Sequence, residues 1–201
     1  SGYANFLLQY NNISNEKRSE ILIKISKESE RLTKMLNDFL KNIREENSLI
    51  NAELKPLDIL PILEYFYTIY EIQAKDSLID FVWNVRTPLP LINGNKEHLE
   101  HVISNLLSNA FKFTKEMGMI KISSRIDNDH LLITISDTGP GIKSGYEKEI
   151  FEKFKKIESG ESGDDKHGSG LGLYIVSQII KIHNGEIWVT NNQGGVGCSF
   201  T

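Results

Sequence analysis

The chain has 201 residues, 39% hydrophobic and 25% charged, with a formal net charge of −4. That is the make-up of an ordinary globular protein, and the acidic balance argues against a nucleic-acid binder, whose footprint is basic. One cysteine, Cys198, excludes an internal disulfide framework and any multi-cysteine metal site, and fits a reducing compartment. No apolar run approaches the roughly 20 residues needed to span a bilayer, and the N-terminal residues carry no signal-peptide pattern, so no membrane contact is expected of this segment.

From Lys17 to about Asn47, Ile21, Leu22, Ile25, Leu32, Leu36, Phe39 and Ile43 fall on one helical stripe. Ile25, Leu32 and Phe39 repeat every seven residues, as do Leu36 and Ile43, which is the seam of a coiled coil or bundle. At 1.5 Å per residue such a rod is roughly 45 Å long and needs partner helices to cover its stripe. Residues 1–10 read as the end of an earlier antiparallel helix, and the polar run from Asn11 to Asn15 as the turn between them.

Beyond residue 50 the pattern is mixed. Glu53–Leu57 and Ile79–Val85 read as strands, Leu57 to about Ile72 as a helix with Asp58 and Pro61 near its start, and about Lys96 to Phe113 as a second helix. Met119–Ile126 and Leu131–Ile135 alternate as neighbouring strands around Asp127-Asn128-Asp129. A helix over Leu171–His183 stops at Asn184-Gly185, and strands Glu186–Val189 and Val196–Phe200 end the chain. Strands covered by helices on one side predict an α/β two-layer sandwich over residues 51–201, preceded by a partial helical region over residues 1–50. The stretch from Glu158 to Gly170, rich in Gly, Ser, Asp and Glu, reads as a long loop.

Three segments carry chemistry. Asp137-Thr138-Gly139-Pro140-Gly141-Ile142 follows an apolar strand. A carboxylate there only accepts hydrogen bonds, which suits an amino group such as that of adenine, although the segment alone also reads as a turn. Gly168-Ser169-Gly170-Leu171-Gly172-Leu173 precedes the last helix, where free N–H groups and the helix dipole favour phosphate; alone it is equally a flexible helix start. It matches neither the Rossmann pattern nor the P-loop. Asn105 and Asn109 lie one turn apart on one helix face, with Lys112 close to the next turn. Amide oxygens can hold Mg²⁺ and a lysine can neutralise phosphate, while a solvated helix face would carry the same residues.

Taken together and in order, these segments resemble the sensor histidine kinases. Asn105 to Thr114 resembles their N box, Asp137 to Ile142 the first glycine box, Ile150-Phe151-Glu152-Lys153-Phe154 the phenylalanine box, Gly168 to Leu173 the second glycine box and Gly195 to Phe200 the terminal one. The helix up to about Asn47 is similar to the second helix of the dimerisation and phosphotransfer hairpin. The resemblance implies the GHKL ATPase sandwich with ATP and Mg²⁺ as cofactors. By it Asn109 is the metal ligand, Asp137 the adenine acceptor, with Gly139, Gly141 and Ile142 beside it, and Phe113 an apolar wall. Asn105 and Lys112 stand near the phosphates and metal as the catalytic polar residues. Gly168, Ser169, Gly170, Leu171 and Gly172 line the phosphates. Residues 143–167 form a lid anchored by Phe151 and Phe154, with Lys156 where many relatives carry Arg, and Ser199 reaches the adenine through water.

Hydrolysing members of the same fold carry Glu one turn before the metal-binding Asn; here Asn105 stands there, and an amide cannot act as a general base. The resemblance therefore implies transfer of the γ-phosphoryl to a histidine rather than to water. His98, His101, His130, His167 and His183 all follow the long helix, so the acceptor is expected upstream of Ser1, in a homodimer whose pairing is weakened in this segment. Implied partners are ATP and a response-regulator receiver domain, in the cytoplasm. A hydrolysing GHKL ATPase and a nucleotide-free pseudokinase are the rival readings; Asn105 speaks against the first and the intact motifs against the second. Arg86-Thr87-Pro88-Leu89 imitates the end of the acceptor box but lies in the strand region, and reads as coincidence.

Overall fold

The structure, a computed structural model, describes residues 14–48, 53–155, 170–192, 194 and 196–201, without the side chains of 31, 32 and 34–48. The chain divides into two compact units, Ser1–Arg44 and Glu45–Thr201.

In the first unit lies most of α1 (Asn15–Ser48), a single helix of 34 residues. Ser14 caps it: its hydroxyl accepts from Lys17 N at 3.3 Å and its carbonyl from Arg18 N at 3.0 Å. Ile21 is buried and Ile25 half-buried, while Leu22 is 52% exposed. The remaining seam residues fall outside the described side chains.

In the second unit, α2 (Leu60–Asp76), α3 (Lys96–Phe113) and α4 (Gly172–Ile182) provide the helices. The strands are β1 (Lys55–Leu57), β2 (Asp80–Asn84), β3 (Ile92–Gly94), β4 (Met119–Asp127), β5 (His130–Asp137), β6 (Val189–Asn191) and β7 (Cys198–Phe200). Five of them form one sheet in the order β2-β4-β5-β7-β6, with β2 and β4 parallel and the other neighbours antiparallel. β1 and β3 make a separate two-stranded antiparallel ribbon. β3 was not foreseen; three residues give no period to read. The sixth strand begins at Val189, later than expected, although Trp188 and Thr201 still exchange backbone hydrogen bonds at 3.0 Å.

The periods explain the layers. On α3, His98, Leu99, Val102, Ile103, Leu106, Leu107, Ala110 and Phe111 are buried, a 3.6-residue stripe. On β4, Ile120, Ile122 and Ser124 point inward, and on β5 Ile135 and Asp137 do so. Leu63, Leu107, Ile120, Ile122, Ile135, Ile175, Val176 and Ile179 are the largest fully buried side chains, so the core lies between the helices and one face of the sheet. The opposite face carries hydroxyls: Thr134 pairs with Thr201 at 3.0 Å and Ser136 with Ser199 at 2.8 Å. An α/β two-layer sandwich results.

The β4–β5 hairpin turns on Asn128 and Asp129, with φ of 46° and 66°, between the paired residues Asp127 and His130. Asn and Asp tolerate that left-handed pair, the mark of a tight two-residue hairpin. Helix α2 starts with Pro61 in its first turn and with Asp58 Oδ1 accepting from Leu60 N at 3.0 Å.

Two histidines join α3 to α4. His183 donates from Nδ1 to Ile179 O at 2.7 Å and accepts at Nε2 from Asn95 N at 3.0 Å, which fixes one neutral tautomer. His98 stacks edge-on against it at 5.9 Å between centroids, is 8% exposed, and has no hydrogen-bond partner at Nδ1. Burial foremost, then the neighbouring His183, lowers the His98 pKa; His101 adds to the effect and Glu97 opposes it.

Native His98 thus stays neutral while the unfolded chain takes up a proton, so stability is full above the ordinary histidine pKa of about 6.5 and is lost as pH falls through it. The melting temperature should drop between about pH 7.5 and about pH 5.5, and His98→Leu should flatten that drop. Leu107→Ala, at a site with no exposed surface, should cost about 2–5 kcal/mol in a denaturant titration.

Candidate functional site

Asp137 is the last residue of β5, on the inward row that contains Ile133 and Ile135. Strand alternation therefore places a carboxylate at the end of an apolar row, 5% exposed. Its Oδ1 accepts from Gly139 N at 2.8 Å and its Oδ2 from the Cys198 thiol at 3.2 Å. Its backbone carbonyl accepts from Asn192 Nδ2 at 2.8 Å. Two donors fix the side chain, yet a carboxylate offers about four acceptor positions, so capacity remains for an amino group. Burial, and then the Asp137 carboxylate, push the Cys198 thiol far above its usual pKa, so it stays protonated as a donor.

Glycines let the surrounding backbone close on this carboxylate. Gly139 is buried, and an added Cβ would lie 2.9 Å from Asp137 Oδ1 and 3.0 Å from the Phe113 carbonyl. It is the wedge between Asp137 and the C-terminal end of α3. Gly197, with φ of 81°, passes against the Asp137 carbonyl, where any Cβ would collide. Asn191 clamps the next turn, accepting from Ile142 N and donating to Ile142 O, each at 2.7 Å. Asn191 and Asn192 were not foreseen as site residues.

The asparagine helix face comes from the same periodicity that builds the core. With the stripe from His98 to Phe111 turned inward, His101, Asn105, Asn109 and Lys112 lie along an adjacent, half-buried face of α3. Asn105 reaches the start of α4: a Cβ at Gly172 would stand 2.5 Å from Asn105 Oδ1. Leu171, the residue before α4, is buried and anchors that helix start. The Asn face and the helix terminus of the second glycine segment therefore meet. Lys112 Nζ lies over the Phe113 ring, 4.9 Å from its centroid, and Phe113 is half-buried.

The phenylalanine segment is a short 3-10 turn, Glu149–Phe151. Ile150 is buried and Phe151 packs edge-on against Phe200 at 6.3 Å, whereas the Phe154 side chain is 62% exposed. Phe154 contributes through its backbone instead: its N–H donates to Gly170 O at 3.0 Å, and a Cβ at Gly170 would lie 2.9 Å from its carbonyl carbon. Lys155 pairs with Glu149 at 2.7 Å. Lys156, Gly168 and Ser169 lie outside the described residues.

Ser199 is placed away from Asp137. It sits on the hydroxyl face, bonded to Ser136 Oγ at 2.8 Å and to Asn192 Oδ1 at 2.6 Å, while its neighbour Cys198 faces the carboxylate. Alternation along β7 separates the two, and the polar character of serine gave no hint of which face it would take.

Among the described residues no group of three or more His, Cys, Asp or Glu could hold a metal ion, and no helix is long and apolar enough to cross a membrane. The amide oxygens of Asn105 and Asn109 are neutral donors. They fit Mg²⁺ that draws most of its ligands from a nucleotide and water, and fit poorly an ion needing a protein cage of carboxylates.

Residues 94–201 match the family described as histidine kinase-, DNA gyrase B- and HSP90-like ATPases. The chain is 31% identical over 204 residues to an uncharacterized sensor-like histidine kinase, ycf26, of Pyropia yezoensis, covering 95% of this chain and 31% of that protein. It is 29% identical over 198 residues to the adaptive-response sensory kinase SasA of Synechocystis, covering 96% of this chain and 51% of that one. The chain thus spans about a third to a half of these relatives. Among solved structures, full-length ShkA in complex with AMPPNP superposes with a TM-score of 0.70 at 28% identity, over 96% of this chain and 40% of that chain. The chain belongs to the histidine kinase-, DNA gyrase B- and HSP90-like ATPase family, as a catalytic domain of the sensor histidine kinase type.

Proposed function

We propose that the chain binds Mg·ATP and transfers the γ-phosphoryl group to a histidine outside these 201 residues, for relay to the aspartate of a response-regulator receiver domain. The observation that carries this reading is the meeting of the Asn105 amide with Gly172 at the start of α4, one helix turn from Asn109. ATP is favoured as the nucleotide by the likeness to ShkA, whose structure holds AMPPNP. Residues 1–50 are proposed to belong to the dimerisation and phosphotransfer region, and residues 51–201 to the catalytic domain. In the whole protein the first region would support a homodimer on the cytoplasmic side.

Asp137 accepts a hydrogen bond from the adenine amino group, held in place by its own bonds to Gly139 and Cys198. Gly139 and Gly141 keep the backbone low beside the base, and Ile142 and Phe113 offer apolar contact. The N-terminal end of α4, at Gly170, Leu171 and Gly172, offers its dipole and backbone N–H groups to phosphate oxygens, and the resemblance assigns Gly168 and Ser169 to the same role. Lys112 and Lys156 supply positive charge near the phosphates. Asn109, assisted by Asn105, would hold Mg²⁺, which when bound would supply positive charge to the phosphates.

No carboxylate stands one turn before Asn109, so no general base addresses water from that position. The nucleophile is the imidazole nitrogen: it bonds to the γ-phosphorus as the bond to the β–γ bridging oxygen breaks, and ADP leaves. On this reading the segment alone does not autophosphorylate.

A fluorescent ATP analogue titrated with Mg²⁺ should bind saturably. Asp137→Asn should weaken that binding about tenfold or more, since one bond to a charged acceptor is worth about 1.5–3 kcal/mol. Asn109→Ala should weaken it only when Mg²⁺ is present. Absence of saturable binding by the unaltered chain would overturn the reading in favour of a nucleotide-free module. Phosphate release by the isolated chain should stay near background; steady hydrolysis would instead mark an ATPase.

A further inference from the structure

The face of α3 that carries Asn105 and Asn109 begins with a histidine that none of the roles above uses. Asn105 Nδ2 lies 2.5 Å from His101 Nε2 and also 3.4 Å from the His101 backbone carbonyl. A carbonyl only accepts, so the amide atom next to it is the NH₂ group. With that polarity fixed, His101 Nε2 must be the accepting nitrogen and its ring proton must sit on Nδ1. The amide oxygen is then turned the other way, toward Gly172, where only the absence of a Cβ leaves it room.

We propose that His101 is a positioning residue: it holds the Asn105 amide by its NH₂ group so that an acceptor oxygen, not a donor, faces the nucleotide side of α4. The inference rests on the Mg·ATP reading above and sharpens it. Phosphate oxygens are themselves acceptors and gain nothing from a second acceptor, so an oxygen presented there addresses a cation or a water in its shell. Asn105 thus serves the metal rather than the phosphate. His101 does for it what an outer-sphere partner does for a metal ligand, setting which atom points inward. An unsupported amide could turn over and present NH₂, since its two ends are nearly equal in size.

Two readouts test this in the unaltered chain and in His101→Leu, His101→Gln and Asn105→Ala. The first is nitrogen NMR of the histidine rings without nucleotide, which reports the tautomer directly. His101 should be protonated at Nδ1 and bare at Nε2; a proton on Nε2 would overturn the proposal. The second is affinity for the fluorescent ATP analogue in Mg²⁺ and in EDTA. His101→Leu should lose roughly tenfold in Mg²⁺, as should Asn105→Ala, with little change in EDTA. His101→Gln, whose side-chain oxygen can accept the same bond, should stay within about twofold of the unaltered chain. Equal loss in the Leu and Gln variants would assign His101 to packing and overturn the proposal, as would no loss in His101→Leu. Failure of the unaltered chain to bind the analogue would instead sink the nucleotide reading, and the ring spectrum would still decide the His101–Asn105 geometry.

Discussion

The structure depends on one buried carboxylate. Asp137 closes an inward row of β5 that is otherwise hydrocarbon, and an ionised group there is tolerated only if donors surround it. Those donors come from separate parts of the chain: the Gly139 amide, the Cys198 thiol and, on its backbone, the Asn192 amide. Each demands a close approach, and the glycines at 139 and 197 permit it. Removing the carboxylate would leave the fold's most constrained backbone crossing without its reason. The candidate site is in this sense a by-product of how the end of the central strand accommodates a buried carboxylate.

Helix α3 couples that crossing to the opposite side of the site. Its buried stripe fixes its rotation against the sheet, and that rotation decides that His101, Asn105 and Asn109 emerge on one half-buried face, from which Asn105 reaches the start of α4. Its last carbonyl region meets Gly139. One helix thus sets the spacing between Asp137 and the start of α4. A repacking that turned α3 by one residue, about 100°, would separate the two while leaving every motif in the sequence intact.

What could be read in advance follows from whether the signal is local. Helix α3 was legible over about its observed span because an unbroken 3.6-residue stripe lies within one segment. The β4–β5 hairpin was legible for the same reason. β3 was not, since its three residues are defined by pairing with β1 far upstream. The roles of Asn191 and Asn192 were hidden because each serves a backbone 49 or 55 residues away. Cys198 and Ser199 show the limit most sharply: adjacent small polar residues take opposite faces, and only the register of β7 says which one meets Asp137.

The hydrogen bond between Phe154 and Gly170 has a consequence for how this protein can vary. It ties together two residues well separated along the chain and so closes a loop between them. Ring closure grows costlier only with the logarithm of length, about 0.6 kcal/mol for each doubling. Sequence there can lengthen, shorten or be exchanged among descendants with little penalty to the sandwich. The knot itself cannot drift in the same way, because Gly170 holds φ of 71° against the Phe154 backbone. Diversity and constancy are thereby set side by side within a few residues.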